Sequence, residues 1–117
     1  MSLKKNLIVK ETFELAVQNH KRGNIEKAKN LYGKVLKIDP NHENANINIG
    51  VIFQGLEKFQ NAKNCYELAL KNNSNNIIAC TNLGVVFQKL KQIEQAVESF
   101  KKAIKINPDY LEAHINL

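Results

Sequence analysis

Apolar residues recur along the chain at helical spacing, in pairs of stretches separated by short polar turns. Spacings of three and four residues place side chains on one face of an α-helix. The middle of the chain shows two such stretches in succession. The first contains Ile49, Ile52, Phe53 and Leu56. The second contains Phe59, Ala62, Tyr66, Ala69 and Leu70. The pattern therefore predicts helical hairpins and an all-α fold.

The hairpin pattern repeats with a period of 34 residues. A small residue recurs at the same place in each unit, at Ala28, Ala62 and Ala96. Four residues later each unit has a large aromatic side chain, at Tyr32, Tyr66 and Phe100. Gly50 and Gly84 also share one position, and their lack of a Cβ predicts a close approach of the paired helices. We divide the chain into residues 9–42, 43–76 and 77–110, and residues 111–117 begin a fourth unit.

This order of small, aromatic and proline positions resembles the tetratricopeptide repeat, a helix–turn–helix unit of 34 residues. Pro40 and Pro108 close the first and third units, whereas Ser74 takes this place in the second. The resemblance covers nearly the whole chain and implies a right-handed superhelical solenoid of antiparallel helix hairpins. Such hairpins bury their apolar faces only by stacking. We therefore expect residues 1–117 to form one domain, as a fragment of a longer protein.

The loops between units predict how each new hairpin begins. In the segments Asp39-Pro40-Asn41 and Asn107-Pro108-Asp109, proline cannot donate a hydrogen bond and so ends the helix. The flanking Asp and Asn side chains can accept from the free N–H groups of the next helix. Ser74 lies within a run of asparagines, and we expect a looser connection there.

The resemblance also implies a binding surface. In the family, the first helix of each repeat lines a concave groove, and the corresponding inward positions form the candidate site. These positions are Lys10, Phe13, Val17, Lys21, Ile47, Asn48, Val51, Gln54, Ile78, Asn82, Val85, Gln88, Lys89 and Asn116.

Three asparagines of this set occupy one repeat position. Asn48, Asn82 and Asn116 are each 34 residues apart, and Glu14 interrupts the row in the first unit. The row resembles the asparagine ladder that lines the superhelix of O-linked N-acetylglucosamine transferases. Asparagine is also the commonest residue here in idealised repeats, so a binding ladder and simple repeat inheritance both stay open.

A second subfamily is a poor match. Chaperone-binding members hold a peptide's terminal carboxylate with a clamp of Lys, Asn and Arg side chains. The corresponding positions here are Phe13, Val17, Asn48, Ile78 and Asn82, and only Asn48 matches the residue type that the clamp has at its position. We therefore do not expect this clamp.

The net charge of +6 narrows the choice of partner only slightly. Most lysines fall on the second helices, where a solvated face is the simplest interpretation, and an acidic partner is the alternative. No exposed row of aromatic residues alternates with them, so we expect no nucleic-acid partner.

No apolar run approaches the roughly 20 residues that span a bilayer. Residues 1–10 also lack the apolar core of a secretory signal. We expect a cytoplasmic protein that does not bind membranes.

Catalytic and metal-binding motifs are missing from the sequence. Cys65 and Cys80 have no partner at metal-ligand spacing, and neither do the three histidines. We expect no enzyme activity, cofactor or metal within this segment.

The favoured function is a scaffold that binds a peptide or protein segment in the groove. The alternative is the N-terminal substrate-docking arm of a larger enzyme, such as a glycosyltransferase or sulfotransferase. A third possibility is self-association through the C-terminal edge at Leu111, Ile115 and Leu117.

Overall fold

The computed structural model describes residues 1–116 of the chain. Within this range the chain forms seven α-helices and no strand, which confirms the all-α prediction. The helices are α1 (Leu3–Lys21), α2 (Ile25–Ile38), α3 (Glu43–Gly55), α4 (Phe59–Asn72), α5 (Ile77–Lys89), α6 (Ile93–Ile106) and α7 (Leu111–Asn116). Each first helix packs mainly on the second helix of its own hairpin, and successive hairpins join through α2–α3 and α4–α5. The short helix α7 lies against α5 and α6.

The seam inside each hairpin depends on small residues that face a large ring. Tyr32, Tyr66 and Phe100 are almost completely buried, and so are the alanines one turn earlier. A Cβ added to Gly50 would lie 2.6 Å from Cε1 of Tyr66. At Gly84 the corresponding distance to Cε1 of Phe100 is 2.5 Å. Real Cβ atoms do not approach this closely, so glycine at these positions allows the aromatic ring to lie on the backbone of the facing helix.

The first helices α3 and α5 are each capped by the side chain of the residue directly before the helix. The side chain of His42, and not that of Asp39 or Asn41, accepts from the backbone N–H of Ala45 at 3.1 Å. Asn76 accepts from the N–H of Ala79 at 3.0 Å. The side chain that caps a helix must lie directly before its first turn. The prediction from the proline segment was therefore placed too early for α3.

The asparagine-rich loop between α4 and α5 is held by hydrogen bonds, although it lacks proline. Asn73 donates to Oε1 of Glu43 at 3.0 Å, and Asn76 donates to the same oxygen. Asn72 donates to the carbonyl of Asn41 at 3.4 Å. These bonds connect the loop to the start of the preceding hairpin, so the expected looseness is offset by side-chain contacts.

A second set of contacts connects the first helices α3, α5 and α7 to the loops before them. Asn46 donates to the carbonyl of Pro40 at 3.2 Å. His114 lies at hydrogen-bond distance, 2.6 Å, from the carbonyl of Pro108. Cys80, at the same repeat position, has its Sγ 4.0 Å from the carbonyl of Ser74. In repeats of the kind that the sequence resembles, this position usually holds a large aromatic residue. Here it holds polar or small side chains that reach the carbonyl of the loop.

The turns inside the three hairpins have one backbone conformation. Gly23, Glu57 and Lys91 share a repeat position and have φ values of 82°, 59° and 61°. This left-handed region is strained for residues with a Cβ, and glycine adopts it readily. The fold therefore imposes the same turn on all three units, although only the first has the residue that suits it.

Candidate functional site

The candidate groove is the surface formed by the first helices α1, α3, α5 and α7, of which α3 contacts α5 and α5 contacts α7. Most of the predicted groove residues are accessible on this surface. The exposed ones are Lys10, Lys21, Val51, Ile78, Gln88 and Lys89. The half-buried ones are Phe13, Val17, Asn48, Gln54, Asn82, Val85 and Asn116. Ile47 departs from the prediction, because it is only 5% exposed and packs in the core with Tyr66 and Leu83.

A concavity of about 500 Å³ lies between α3 and α5, and it brings together four of the predicted residues. Val51, Gln54, Asn82 and Lys89 line it, beside Phe59 and the turn after α3. A smaller depression of about 330 Å³ lies between the first two hairpins, and Val51 also lines this one. The surface therefore offers apolar, carboxamide and cationic groups within a short distance.

Phe13 contributes less to the groove than its position in the sequence predicts. Its ring centroid lies 4.8 Å from that of His42 and 5.8 Å from that of Tyr32. These contacts place Phe13 at the junction of the first two hairpins. The ring supports the groove there, and only part of its surface is accessible to a partner.

Two buried tyrosines extend their hydroxyl groups to groove residues. Nδ2 of Asn48 donates to the hydroxyl oxygen of Tyr32 at 3.2 Å, and Nδ1 of His20 lies 3.2 Å from the same oxygen. Burial raises the pKa of Tyr32, and the hydrogen bond from Asn48 partly opposes this rise. The hydroxyl is therefore neutral at ordinary pH and acts as a hydrogen-bonding group.

The second hairpin repeats this arrangement. Tyr66 donates to Oε1 of Gln54 at 2.7 Å, and the side chain of Asn82 lies near the same hydroxyl group. Burial raises the pKa of Tyr66 above its ordinary value, and the nearby side chain of Asn82 partly opposes this rise. We name each set a rung: the first rung is His20, Tyr32 and Asn48, and the second is Gln54, Tyr66 and Asn82.

The third hairpin has no such rung. Phe100 takes the tyrosine position and has no hydroxyl. Gln88 donates to the carbonyl of Asn116 at 3.1 Å, and Asn116 donates to the carbonyl of Glu112 at 2.7 Å. The three asparagines predicted as a ladder therefore have different environments. Asn48 donates to Tyr32, Asn82 lies near Tyr66, and Asn116 donates to a carbonyl of its own helix.

Sequence reasoning placed the tyrosines in the core and assigned them no further role. Comparison of the three repeats already contained a signal. Tyr32 and Tyr66 have a hydroxyl at a position where Phe100 fills the same space with a plain ring. His20, Gln54 and Gln88 also share one repeat position. Polar residues therefore recur at two repeat positions, that of His20, Gln54 and Gln88 and that of Asn48 and Asn82. This recurrence could have indicated the rungs.

The cysteines have properties of buried structural thiols. Burial raises the pKa of Cys65 to about 11. It also raises the pKa of Cys80, where the charge of Lys102 acts in the opposite direction. A thiol of high pKa is a poor nucleophile at neutral pH.

Among residues 1–116, no group of three His, Cys, Asp or Glu side chains is arranged to hold a metal ion. Within the same range, none of the helices has the length and apolar character needed to span a bilayer.

Comparison with protein families identifies the class of protein. Tetratricopeptide repeat models match residues 13–42, 43–76 and 77–110. The chain therefore belongs to the tetratricopeptide repeat family, as the sequence pattern predicted. The first match begins at Phe13, within α1, which itself begins at Leu3. A comparison with curated protein sequences found no match.

Solved structures show the same fold at low sequence identity. The first TPR of Spaghetti (RPAP3), bound to the HSP90 peptide SRMEEVD, has a TM-score of 0.88 at 24% identity, over 100% of this chain and 90% of its own. The Arabidopsis OM64 TPR domain has a TM-score of 0.90 at 20% identity, over 96% and 93%. A Thermobaculum terrenum O-GlcNAc transferase mutant has a TM-score of 0.88 at 22% identity, over 97% of this chain but 22% of the transferase. These similarities are similarities of fold.

Proposed function

We propose that this chain is a scaffold that binds a segment of a partner protein along the groove. The observation that carries the proposal is the pair of half-buried carboxamides, Asn48 and Asn82, in register beside the exposed side chains of Val51 and Ile78. Each carboxamide offers one acceptor and two N–H donors. The bond to Tyr32 uses one of these groups in Asn48, and the others are available to a ligand.

The spacing suits an extended peptide. Packed helices lie about 8–10 Å apart, and an extended chain advances about 3.3 Å per residue. One asparagine would then meet about every third residue of a bound strand. Carboxamides complement backbone amides whatever the side chain, so this contact tolerates different sequences. Val51, Ile78 and Val85 would add a preference for apolar side chains.

An acidic partner is the variant of this proposal that the charges favour. Lys10, Lys21 and Lys89 are exposed along the groove. The ion pair found within residues 1–116 joins Lys29 to Glu26, so it involves none of these three lysines. Lys89 also lines the concavity that contains Asn82. An Asp or Glu side chain two or three residues from the backbone contact would meet this ammonium group.

The test uses heptapeptides selected from a randomised display library on the wild-type chain. Calorimetric titration should show that Asn48→Ala with Asn82→Ala weakens several unrelated peptides by about 0.5–1.5 kcal/mol per lost hydrogen bond. The matched control is Asn30→Ala with Asn64→Ala, two exposed asparagines that share one repeat position on α2 and α4. Unchanged affinity in the first pair, with folding verified by circular dichroism, would place recognition on another face.

A second candidate is a substrate-docking arm of a larger enzyme. The similarity to the O-GlcNAc transferase, of which the matched region is 22%, supports it together with the register of Asn48 and Asn82. The sequence of the gene beyond residue 117 decides between the two, because a docking arm requires a catalytic domain in the same polypeptide. Two cysteines without a disulfide are compatible with the cytoplasmic location that we propose.

Self-association is a third candidate, supported by apolar side chains on α7. Leu111 and Ile115 are 67% and 72% exposed. A second copy of the chain could cover them. The predicted edge also included Leu117, which lies outside the described residues. Light scattering over a hundredfold concentration range separates a monomer from a concentration-dependent assembly.

A further inference from the structure

The buried rings of Tyr32 and Tyr66 do not need their hydroxyl groups for packing. Phe100 occupies the same repeat position in the third hairpin, is equally buried, and lies as close to Gly84 as Tyr66 does to Gly50. A plain ring therefore satisfies the seam. Burying a hydroxyl has a free-energy cost unless it is hydrogen-bonded. Its presence at two of three positions therefore requires a role beyond filling space.

Both hydroxyls lie between two successive first helices. Tyr66 donates to Gln54 on α3 and lies near the side chain of Asn82 on α5. Tyr32 accepts from Asn48 on α3, which leaves its own proton for Nδ1 of His20 on α1. A tyrosine hydroxyl has one donor and can accept as well. The Tyr32 hydroxyl uses both capacities, so Asn48 has a defined partner below the surface. Tyr66 donates to Gln54, and its oxygen is left able to accept from the nearby Asn82.

We propose that the hydroxyls of Tyr32 and Tyr66 are positioning groups that hold the carboxamides of Asn48 and Asn82 in one orientation for recognition of a peptide backbone. This inference rests on the proposed function of the groove. The terminal torsion of an asparagine side chain is broad and permits several orientations. A hydrogen bond from Nδ2 to the tyrosine oxygen restricts this torsion before a ligand arrives, and pre-organisation of this kind lowers the entropy cost of binding.

The third hairpin provides an internal contrast. Phe100 offers no hydroxyl, and the residues equivalent to the rung partners bond elsewhere: Gln88 to the carbonyl of Asn116, and Asn116 to that of Glu112. Asparagines beside a tyrosine hydroxyl are therefore confined to the first two junctions of the groove. A bound peptide would have its backbone held at Asn48 and Asn82, and it would be held less firmly towards α7.

The first measurement needs no ligand. Proton exchange with water at the side-chain amides of Asn48 and Asn82, measured by NMR on the full chain, should accelerate in the variant Tyr32→Phe with Tyr66→Phe. The matched control is Tyr110→Phe, because Tyr110 is the third and last tyrosine and its hydroxyl lies 3.4 Å from Glu112, outside both rungs. Unchanged exchange at Asn48 and Asn82 in the double variant would overturn the proposal.

The second measurement uses a heptapeptide selected on the wild-type chain, titrated well below the melting temperature. Each lost hydroxyl should weaken binding about 2- to 12-fold, the range for one hydrogen bond, and Tyr110→Phe should bind as the wild type does. A purely structural role would lower the melting temperature and leave this affinity unchanged, which would overturn the inference. Failure of the proposed function looks different, because the wild type itself would then bind no heptapeptide.

Discussion

The second and third hairpins place an aromatic ring at the same buried position, against the same glycine, but the rings differ at their outer edge. The hydroxyl of Tyr66 donates to Gln54 near the side chain of Asn82, whereas Phe100 ends within the core. The comparison separates two requirements that one side chain can meet. Contact with glycine determines that a ring is present, and the polar neighbours on the first helices determine whether a hydroxyl is useful.

The largest expected effect removes the ring from both hairpins. Tyr66→Ala and Phe100→Ala should each lower the free energy of unfolding by roughly 3–5 kcal/mol, because truncation of a buried aromatic leaves a cavity. Chemical denaturation of each variant measures this. Similar losses would show that the ring has the same packing role in both hairpins. Melting like that of the wild type in either variant would contradict the seam described here.

A smaller loss is expected when the opposite side of the seam is enlarged. Ala62→Leu and Ala96→Leu should each cost about 1–3 kcal/mol, because both alanines are buried and added methyl groups force neighbours from their rotamers. Asn64→Leu, on the exposed face of α4, is the control and should change stability by less than about 0.5 kcal/mol. Thermal melts of the three variants suffice. Equal effects at residues 62 and 64 would mean that the face assigned to the core is wrong.

The smallest expected effect concerns the turns within the hairpins. Glu57→Gly and Lys91→Gly should each raise stability by about 1 kcal/mol, since glycine relieves a left-handed conformation. Gly23→Ala should lower stability by a similar amount. The opposite signs make this a sharp comparison of the three turns by denaturant titration. Loss of stability in both glycine variants would show that the side chains of Glu57 and Lys91 contribute more than the strain costs.

Regularities of spacing were sufficient to predict much of the fold. The 34-residue period, the alanines at 28, 62 and 96 and the glycines at 50 and 84 indicated the hairpins and their close approach, and the structure confirms both. Local chemistry was less well predicted. The cap of α3 is His42 and not an Asp or Asn of the proline segment, because the helix begins later than the loop composition indicated.

The groove was predicted only in outline. Asn48, Asn82, Val51 and Lys89 lie on the accessible surface as expected, but Ile47 belongs to the core. A helical residue at the edge of an apolar face can be either buried or exposed, and the packing of the neighbouring hairpin decides which. Whether these residues bind a partner stays a prediction for the peptide experiments.

By itself, the sequence determined the class of fold and the register of its repeats. Helical periodicity and small residues act locally and recur in each unit, so they can be recognised without coordinates. Only the tertiary structure decided that Asn48 bonds to Tyr32 while Asn116 bonds to its own helix. A hydrogen bond between residues on different helices depends on distances of a few tenths of an ångström. Such distances result from how all the hairpins stack, and no single repeat contains them.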